Sequence, residues 1–172
     1  LAILGYADTG GRGIIAASED TGAFTDYIFG DGMISEVTSG AIADGSWGAK
    51  PSPSAELQAA WEVVATAGGV DGKGVYSGES YDAMALIILA AQAAGSTDRA
   101  AIQAEVMNVA NAPGNKCHAG KLGECLKMIS GGLPVDYVGA TGVELDAVGT
   151  PNGSYAEQEV IAGAFTTVTV HN

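Results

Sequence analysis

Asp31 is an acid held between two glycines at the end of a short apolar run, Tyr27-Ile28-Phe29-Gly30-Asp31-Gly32-Met33. If a helix follows, this carboxylate stands at the carboxyl end of a parallel strand, where open α/β sheets bind their ligands. A lone carboxylate there suits a cationic group, and the ammonium of an amino acid is the obvious candidate. The pair Asp31-Gly32 also reads as the tip of a type I′ hairpin, because Asp-Gly between apolar runs signals one. Met33, Val37 and Ala41 recur at a helical spacing of four, with Ile34 and Ile42 beside them and no alternation of period two. That pattern favours strand, loop and helix. A purely structural role for the aspartate stays open on either reading.

Two other groups of residues invite chemistry. Glycines after a strand and before a helix, as in Thr9-Gly10-Gly11-Arg12-Gly13, can bring backbone N–H groups to a phosphate. The spacing fits neither common nucleotide motif, and no lysine follows to meet a phosphate. A tight turn at a helix start is the ordinary reading. Cys117 and Cys125, the only cysteines, flank a short loop that contains His118. Two thiolates and one imidazole match no common zinc spacing. A disulfide closing the loop is the favoured reading, and it implies an oxidising compartment; a reduced pair would remove that inference. His118 and His171 have few carboxylates nearby in sequence and read as surface residues. No metal and no cofactor are expected.

The composition narrows the function classes. The 172 residues carry a formal charge of −13 with only 7 Lys+Arg, which leaves no electrostatic footprint for a phosphate backbone or an anionic lipid surface. Nucleic-acid binding is excluded on that ground. Hydrophobic residues make up 47% of the chain and the mean hydropathy is +0.21, so a packed core rather than disorder is expected. Leu1–Leu4 already reads as a strand, with no basic leader before it, and a segment upstream, including a signal peptide, is expected.

The elements that must position these residues follow in order. Leu1–Tyr6 reads as a central parallel strand, and Asp8 or Thr9 as the cap of a helix to Asp20 with Ile14, Ile15 and Ser18 inward, stopped by Gly22. With the strand at Tyr27–Gly30 and a helix from Ser35, this β-α-β-α run calls for parallel pairing. It places Tyr6, Ala7 and Asp8 at the same sheet edge as Asp31. Residues 47–54 hold two prolines and no periodicity, and look like a crossing between two bodies. Ser52 or Ser54 caps a helix with Leu57, Ala60, Trp61 and Val64 inward. A second, closed by Gly95, begins at Ser80 and is apolar nearly all round, hence expected to be buried. A third begins at Thr97 or Asp98, with Ile102, Val106 and Val109 inward. Leu122–Ile129 reads as a short helix, Asp136–Gly139 and Gly142–Asp146 as extended pieces, and Ser154–Ile161 with Phe165–Val170 as an antiparallel hairpin turning at Ala162-Gly163.

Taken in order, five stretches carry a resemblance. They are Leu4-Gly5-Tyr6-Ala7-Asp8-Thr9-Gly10-Gly11, Ile28-Phe29-Gly30-Asp31-Gly32-Met33, Glu79-Ser80-Tyr81-Asp82-Ala83, Asp136-Tyr137-Val138-Gly139-Ala140-Thr141-Gly142, and Ser154-Tyr155. The chain resembles the C-terminal half of the branched-chain amino-acid-type (Leu/Ile/Val-binding) periplasmic solute receptors of ABC transporters. The resemblance implies an α/β protein of the type I periplasmic-binding-protein kind, a parallel sheet flanked by helices in an incomplete two-lobe fold ending in an antiparallel hairpin. It implies that residues 1–46 belong to the second lobe, 47–54 to a hinge crossing, 55–114 to the first lobe, and 115–172 to a return into the second. The rest of the first lobe, with its contacts to a ligand carboxylate, would lie upstream.

On that plan Asp31 meets the ligand ammonium, although the best-known receptors carry Glu there and a loop longer by one residue. Tyr6 matches a ligand-facing aromatic, and Tyr76 a pocket wall from the other lobe. Asp8 has no clear counterpart in those receptors but would sit near the crevice, a further candidate for ligand binding, with helix N-cap as its favoured role. Trp61 and Tyr81 are expected in the core. The implied activity is capture of a small amino acid or related metabolite, with a membrane permease as partner, in the periplasm or outside the cell, and without catalysis. A ligand-sensing ectodomain of the same fold is the first alternative. A nucleotide- or flavin-using enzyme is the second.

Overall fold

The computed structural model describes residues 1–34 and 44–171, so the helix expected from Ser35 lies outside the described residues. The chain divides into two compact units, Leu1–Ser52 with Ser154–Asn172, and Pro53–Gly153.

The first unit is built on a five-stranded sheet. Strands β1 (Ala2–Ile3), β2 (Ile28–Phe29) and β3 (Trp47–Pro51) run parallel, while β6 (Tyr155–Ile161) and β7 (Ala164–His171) join antiparallel, in the order β1-β2-β3-β6-β7. Helix α1 (Gly11–Thr21) connects β1 to β2 and ends at Gly22, whose left-handed backbone lets its N–H reach the last carbonyls. Ile15 of α1 buries with Ile3, Tyr27, Phe29, Met33 and Val160, and Phe165 packs edge-on to Phe29. Ile14, expected inward, is exposed. Residues 47–51, expected to be an aperiodic crossing, are strand β3. Trp47 and Ala49 alternate with Gly48 and Lys50 there, and two prolines obscured that short alternation. The hairpin turns at Ala162 and Gly163, both at positive φ, the backbone a two-residue turn needs to follow strand twist.

The second unit is mainly helical. Helices α2 (Ala55–Ala67), α3 (Ser77–Ala94) and α4 (Arg99–Ala110) precede a parallel pair of strands, β4 (Asn115–His118) and β5 (Val135–Gly139), joined by α5 (Leu122–Ser130). Ser54 caps α2 by accepting from the Leu57 N–H, and Asp98 caps α4 by accepting from Ala100 and Ala101. Leu89, Ala90, Val109, Val135 and Tyr137 form the core with Ile102 and Val106 against it. Cys117 and Cys125 sit in this core as a disulfide between β4 and α5, with Cα atoms 5.9 Å apart.

Three expectations are corrected here. Helix α3 begins three residues earlier than Ser80, and it is not buried all round. Ala85, Leu89 and Ala90 face the core while Met84, Ile87 and Ile88 lie open. Residues 115–153, expected to return to the body of residues 1–46, pack instead with α3 and α4. The return to the first unit begins only at Ser154. The piece at Gly142–Asp146 is not a strand and contributes only a bridge from Leu145 to Pro151.

Candidate functional site

In the first unit the ends of β1 and β2 meet. The Gly30 N–H bonds the Ile3 carbonyl at 3.2 Å, so the Asp31 loop leaves the sheet beside Gly5 and Tyr6. Gly32 makes that approach possible. A Cβ there would stand 2.6 Å from the Gly5 carbonyl oxygen and 2.7 Å from the Tyr6 ring, closer than real side-chain contacts. The two expected site residues Tyr6 and Asp31 are therefore neighbours, held by backbone packing. Asp31 is half-buried, and its Oδ1 accepts from the Gly32 N–H at 2.7 Å, which orients the carboxylate within a short 3-10 turn, Asp31–Met33. Tyr6 is 69% exposed and offers a ring face at the strand end.

The two acids at this edge differ in environment. Asp8 lies in a 3-10 turn, Ala7–Thr9, and pairs with Arg12 one helical turn on at 2.7 Å, with 84% of its own side chain exposed. It does not cap α1; Gly10 holds the cap position without any side-chain bond. The N–H of Gly11 closes onto the Tyr6 carbonyl instead, at 3.1 Å, and the Met33 side chain occupies the place a Gly11 Cβ would take. The Gly10-Gly11 pair thus serves a tight turn packed on Met33. A depression of about 400 Å³ is lined by Leu1–Tyr6, Thr9–Gly11 and Ile14. Its walls are chiefly apolar.

Tyr76 belongs to the second unit, at the position preceding α3. Its backbone is left-handed, φ 63 and ψ 13, and the residue is 42% exposed. A bulky residue rarely tolerates that conformation unless its surroundings impose it, and such strain concentrates at functional positions. The following residue is firmly placed: the Ser77 hydroxyl accepts from the Trp61 indole at 3.3 Å and donates to the Asp71 carbonyl at 2.9 Å. Trp61 is buried, its ring 5.0 Å from that of Tyr81, whose hydroxyl accepts from the Gly120 N–H. Both aromatics are thus core and support, as expected from the sequence.

Asp82 was not singled out in the sequence, yet it carries the densest polar network described. Its carboxylate, 3% exposed, accepts from Tyr137 Oη at 2.7 Å, the Ala140 N–H at 2.8 Å, and the Thr141 N–H and hydroxyl at 2.9 and 2.7 Å. Gly139, at φ 64, has no space for a Cβ because Asp82 fills it. Burial, together with the charge and hydrogen bond of Asp82, pushes the Tyr137 phenol far above the ordinary tyrosine range. The signal was available: an acid at the head of the apolar run of α3 must find partners if it is buried. Among the described residues no group of three or more His, Cys, Asp or Glu could hold a metal ion, and no helix is long and apolar enough to cross a membrane.

The fold is that of the type I periplasmic binding proteins, a mostly parallel sheet flanked by helices. The structure superimposes on a leucine binding protein, LivK, from Thermotoga maritima MSB8, with a TM-score of 0.63 and 19% identity over 99% of this chain. The chain spans 44% of the length of that protein. At such identity the likeness concerns the fold. No family model matches the sequence, and no curated protein matches it.

Proposed function

We propose that this chain forms part of a solute receptor that captures a small amino acid, or a related metabolite with a cationic end, by closure of two lobes. The observation that carries the reading is the contact of the Asp31 loop with Tyr6 at two adjacent parallel strand ends, which only a glycine at position 32 permits. Asp31 would hold the ammonium in a charge-assisted bond, and Tyr6 would supply a flat apolar wall. Tyr76 would supply a second wall from the other lobe. Asp8 is engaged by Arg12 and would tune the edge of the site rather than grip the ligand.

The binding role of the structural neighbour favours capture over catalysis. As proposed partners, a membrane permease of an ABC transporter would read the closed state, and a preceding half of the same protein would complete the first lobe. The disulfide fits the proposed periplasmic or extracellular location.

The experiment is calorimetry on the complete protein after a thermal-shift screen of amino acids has found a ligand. Asp31→Ala should weaken binding by roughly 2–3 kcal/mol, the scale of a hydrogen bond to a charged group. Unchanged affinity would remove Asp31 from the site. Stabilisation by nucleotides or flavin, and not by amino acids, would overturn the reading as a whole.

A further inference from the structure

Strand β7 lies at one end of the five-stranded sheet, with β6 on one side and no strand among the described residues on the other. Its eight residues, Ala164-Phe165-Thr166-Thr167-Val168-Thr169-Val170-His171, include no Asp, Glu, Lys, Arg, Pro or Gly. Sheets blunt an edge with charge, proline or a very short strand, because a row of unpaired backbone groups is a template for another chain. β7 carries none of these three devices. Its one irregularity is a bulge at Val168, where the register against β6 shifts.

The ladder shows which backbone groups face outward. The Val160 N–H bonds the Ser46 carbonyl at 2.8 Å, and the Val160 carbonyl accepts from the Gly45 N–H at 2.9 Å, so Val160 turns both groups to the β3 side. Its partner across β6 and β7 is Phe165, and antiparallel pairs alternate between bonded and unbonded. Phe165 therefore points its N–H and C=O away from β6. Thr167, two residues on and opposite Gln158, does the same. Thr166 lies between them and is exposed.

We propose that β7 is a self-association edge, on which a second copy of this chain pairs antiparallel about a two-fold axis at Thr166. In that register Phe165 of each copy faces Thr167 of the other, and the two pairs exchange four backbone hydrogen bonds. The two copies of Thr166 meet at an unbonded position with Cβ atoms about 5 Å apart, a favourable cross-strand pair. Charge selects this occupant. Copies with a net charge of −13 repel one another over most of their surface, and β7 is a segment along which they meet without a carboxylate on the strand. The same pairing brings the His171 end of each strand to the turn of the other, where Asp44 accepts from the Gly163 N–H at 2.8 Å. The one basic side chain of β7 thus approaches an acid. A strand of eight residues is about 27 Å long, a small contact beside the roughly 800 Å² per partner of a standard interface, so the dimer is weak and forms at high concentration. It needs no ligand, and ligand capture can fail without it.

The test is disulfide trapping on the full chain. Cys117 and Cys125 are buried and paired, so a new surface cysteine is the only reactive one. Under mild oxidation Thr166→Cys should form a covalent dimer at least tenfold faster than Thr169→Cys, which is also exposed but would stand about 20 Å from its mate in this register. Adding Thr167→Pro, which removes only an outward N–H, should slow trapping to the Thr169→Cys rate. Thr167→Val, which keeps the N–H and loses the hydroxyl that Gln158 bonds, should leave it fast. Equal trapping at positions 166 and 169 would overturn the proposal, as would trapping that Thr167→Pro leaves unaltered in a folded protein. So would trapping abolished by Ile87→Lys, which would move the contact to the open face of α3. If near-ultraviolet circular dichroism shows that the proline variant does not fold, the comparison of positions 166 and 169 decides alone.

Discussion

At the residue scale, two buried carboxylates of the second unit are expected to behave differently. Asp82 has four donors, so Asp82→Asn leaves an amide NH2 facing groups that themselves donate, and loss of about 2–3 kcal/mol in denaturant unfolding is expected. The same variant should bring the Tyr137 phenol down toward ordinary tyrosine behaviour, read as an earlier absorbance change in alkaline titration, because one cause of its upward shift is removed. Asp136 has one oxygen paired to Lys116 at 2.7 Å and the other without a hydrogen-bond partner among the described residues. Lys116→Met strands a buried charge, whereas Lys121→Met breaks a pair exposed on both sides. The first should cost clearly more than the second, whose effect should stay below about 1 kcal/mol. Equal losses would mean that water reaches Asp136. The identity of the partners was not legible beforehand. A lone acid in a sequence says that partners must exist, but those partners stand 55 to 59 residues away for Asp82.

At the scale of elements, what could be read was what local pattern determines. The caps Ser54 and Asp98, the inner face of α4, the glycine stops and the terminal hairpin all rest on neighbours within a few positions, whereas on α2 Ala60, expected inward, is exposed and Ala65 is buried with Trp61. The parallel start followed from alternation of strand and helix. Strand β4 escaped notice because Asn115, Lys116 and His118 are polar and only Cys117 turns inward. The extent of α3 was misread for a different reason. Apolar periodicity reports how much of a helix could be covered, and the described residues cover one face of it. The Tyr6 and Asp31 neighbourhood was legible from two strand ends, but its means was not, since Gly32 reads as a turn residue until the Tyr6 ring is placed against it. The disulfide ties β4 to α5 across a short loop, and replacing both cysteines by serine should cost about 2.5 kcal/mol in the chain-entropy account.

At the scale of the molecule, two cores with separate residues imply two unfolding transitions, or one broadened beyond two-state shape. Because the disulfide lies inside the second unit, reductant should lower only one transition in scanning calorimetry and leave the other in place. A single transition that moves as a whole would show the units to be one cooperative body. Which stretch joins which unit was the least legible property of the sequence. Residues 115–153 pair with α3 and α4 through contacts that composition does not encode, and the change of unit at Ser154 is marked by no break in texture beyond Pro151 and Gly153.

The first unit is discontinuous: β3 finds its antiparallel neighbour β6 only after the whole second unit has intervened, and Val160 and Phe165 complete a core begun at Ile3. On the ribosome, then, the later-encoded middle piece has all its strands and helices before the earlier-encoded one does. The leading residues must wait, unfinished and with apolar side chains uncovered, until translation has delivered the closing hairpin. A chaperone attending the nascent chain would meet its binding site on these earlier-encoded residues rather than at the growing end.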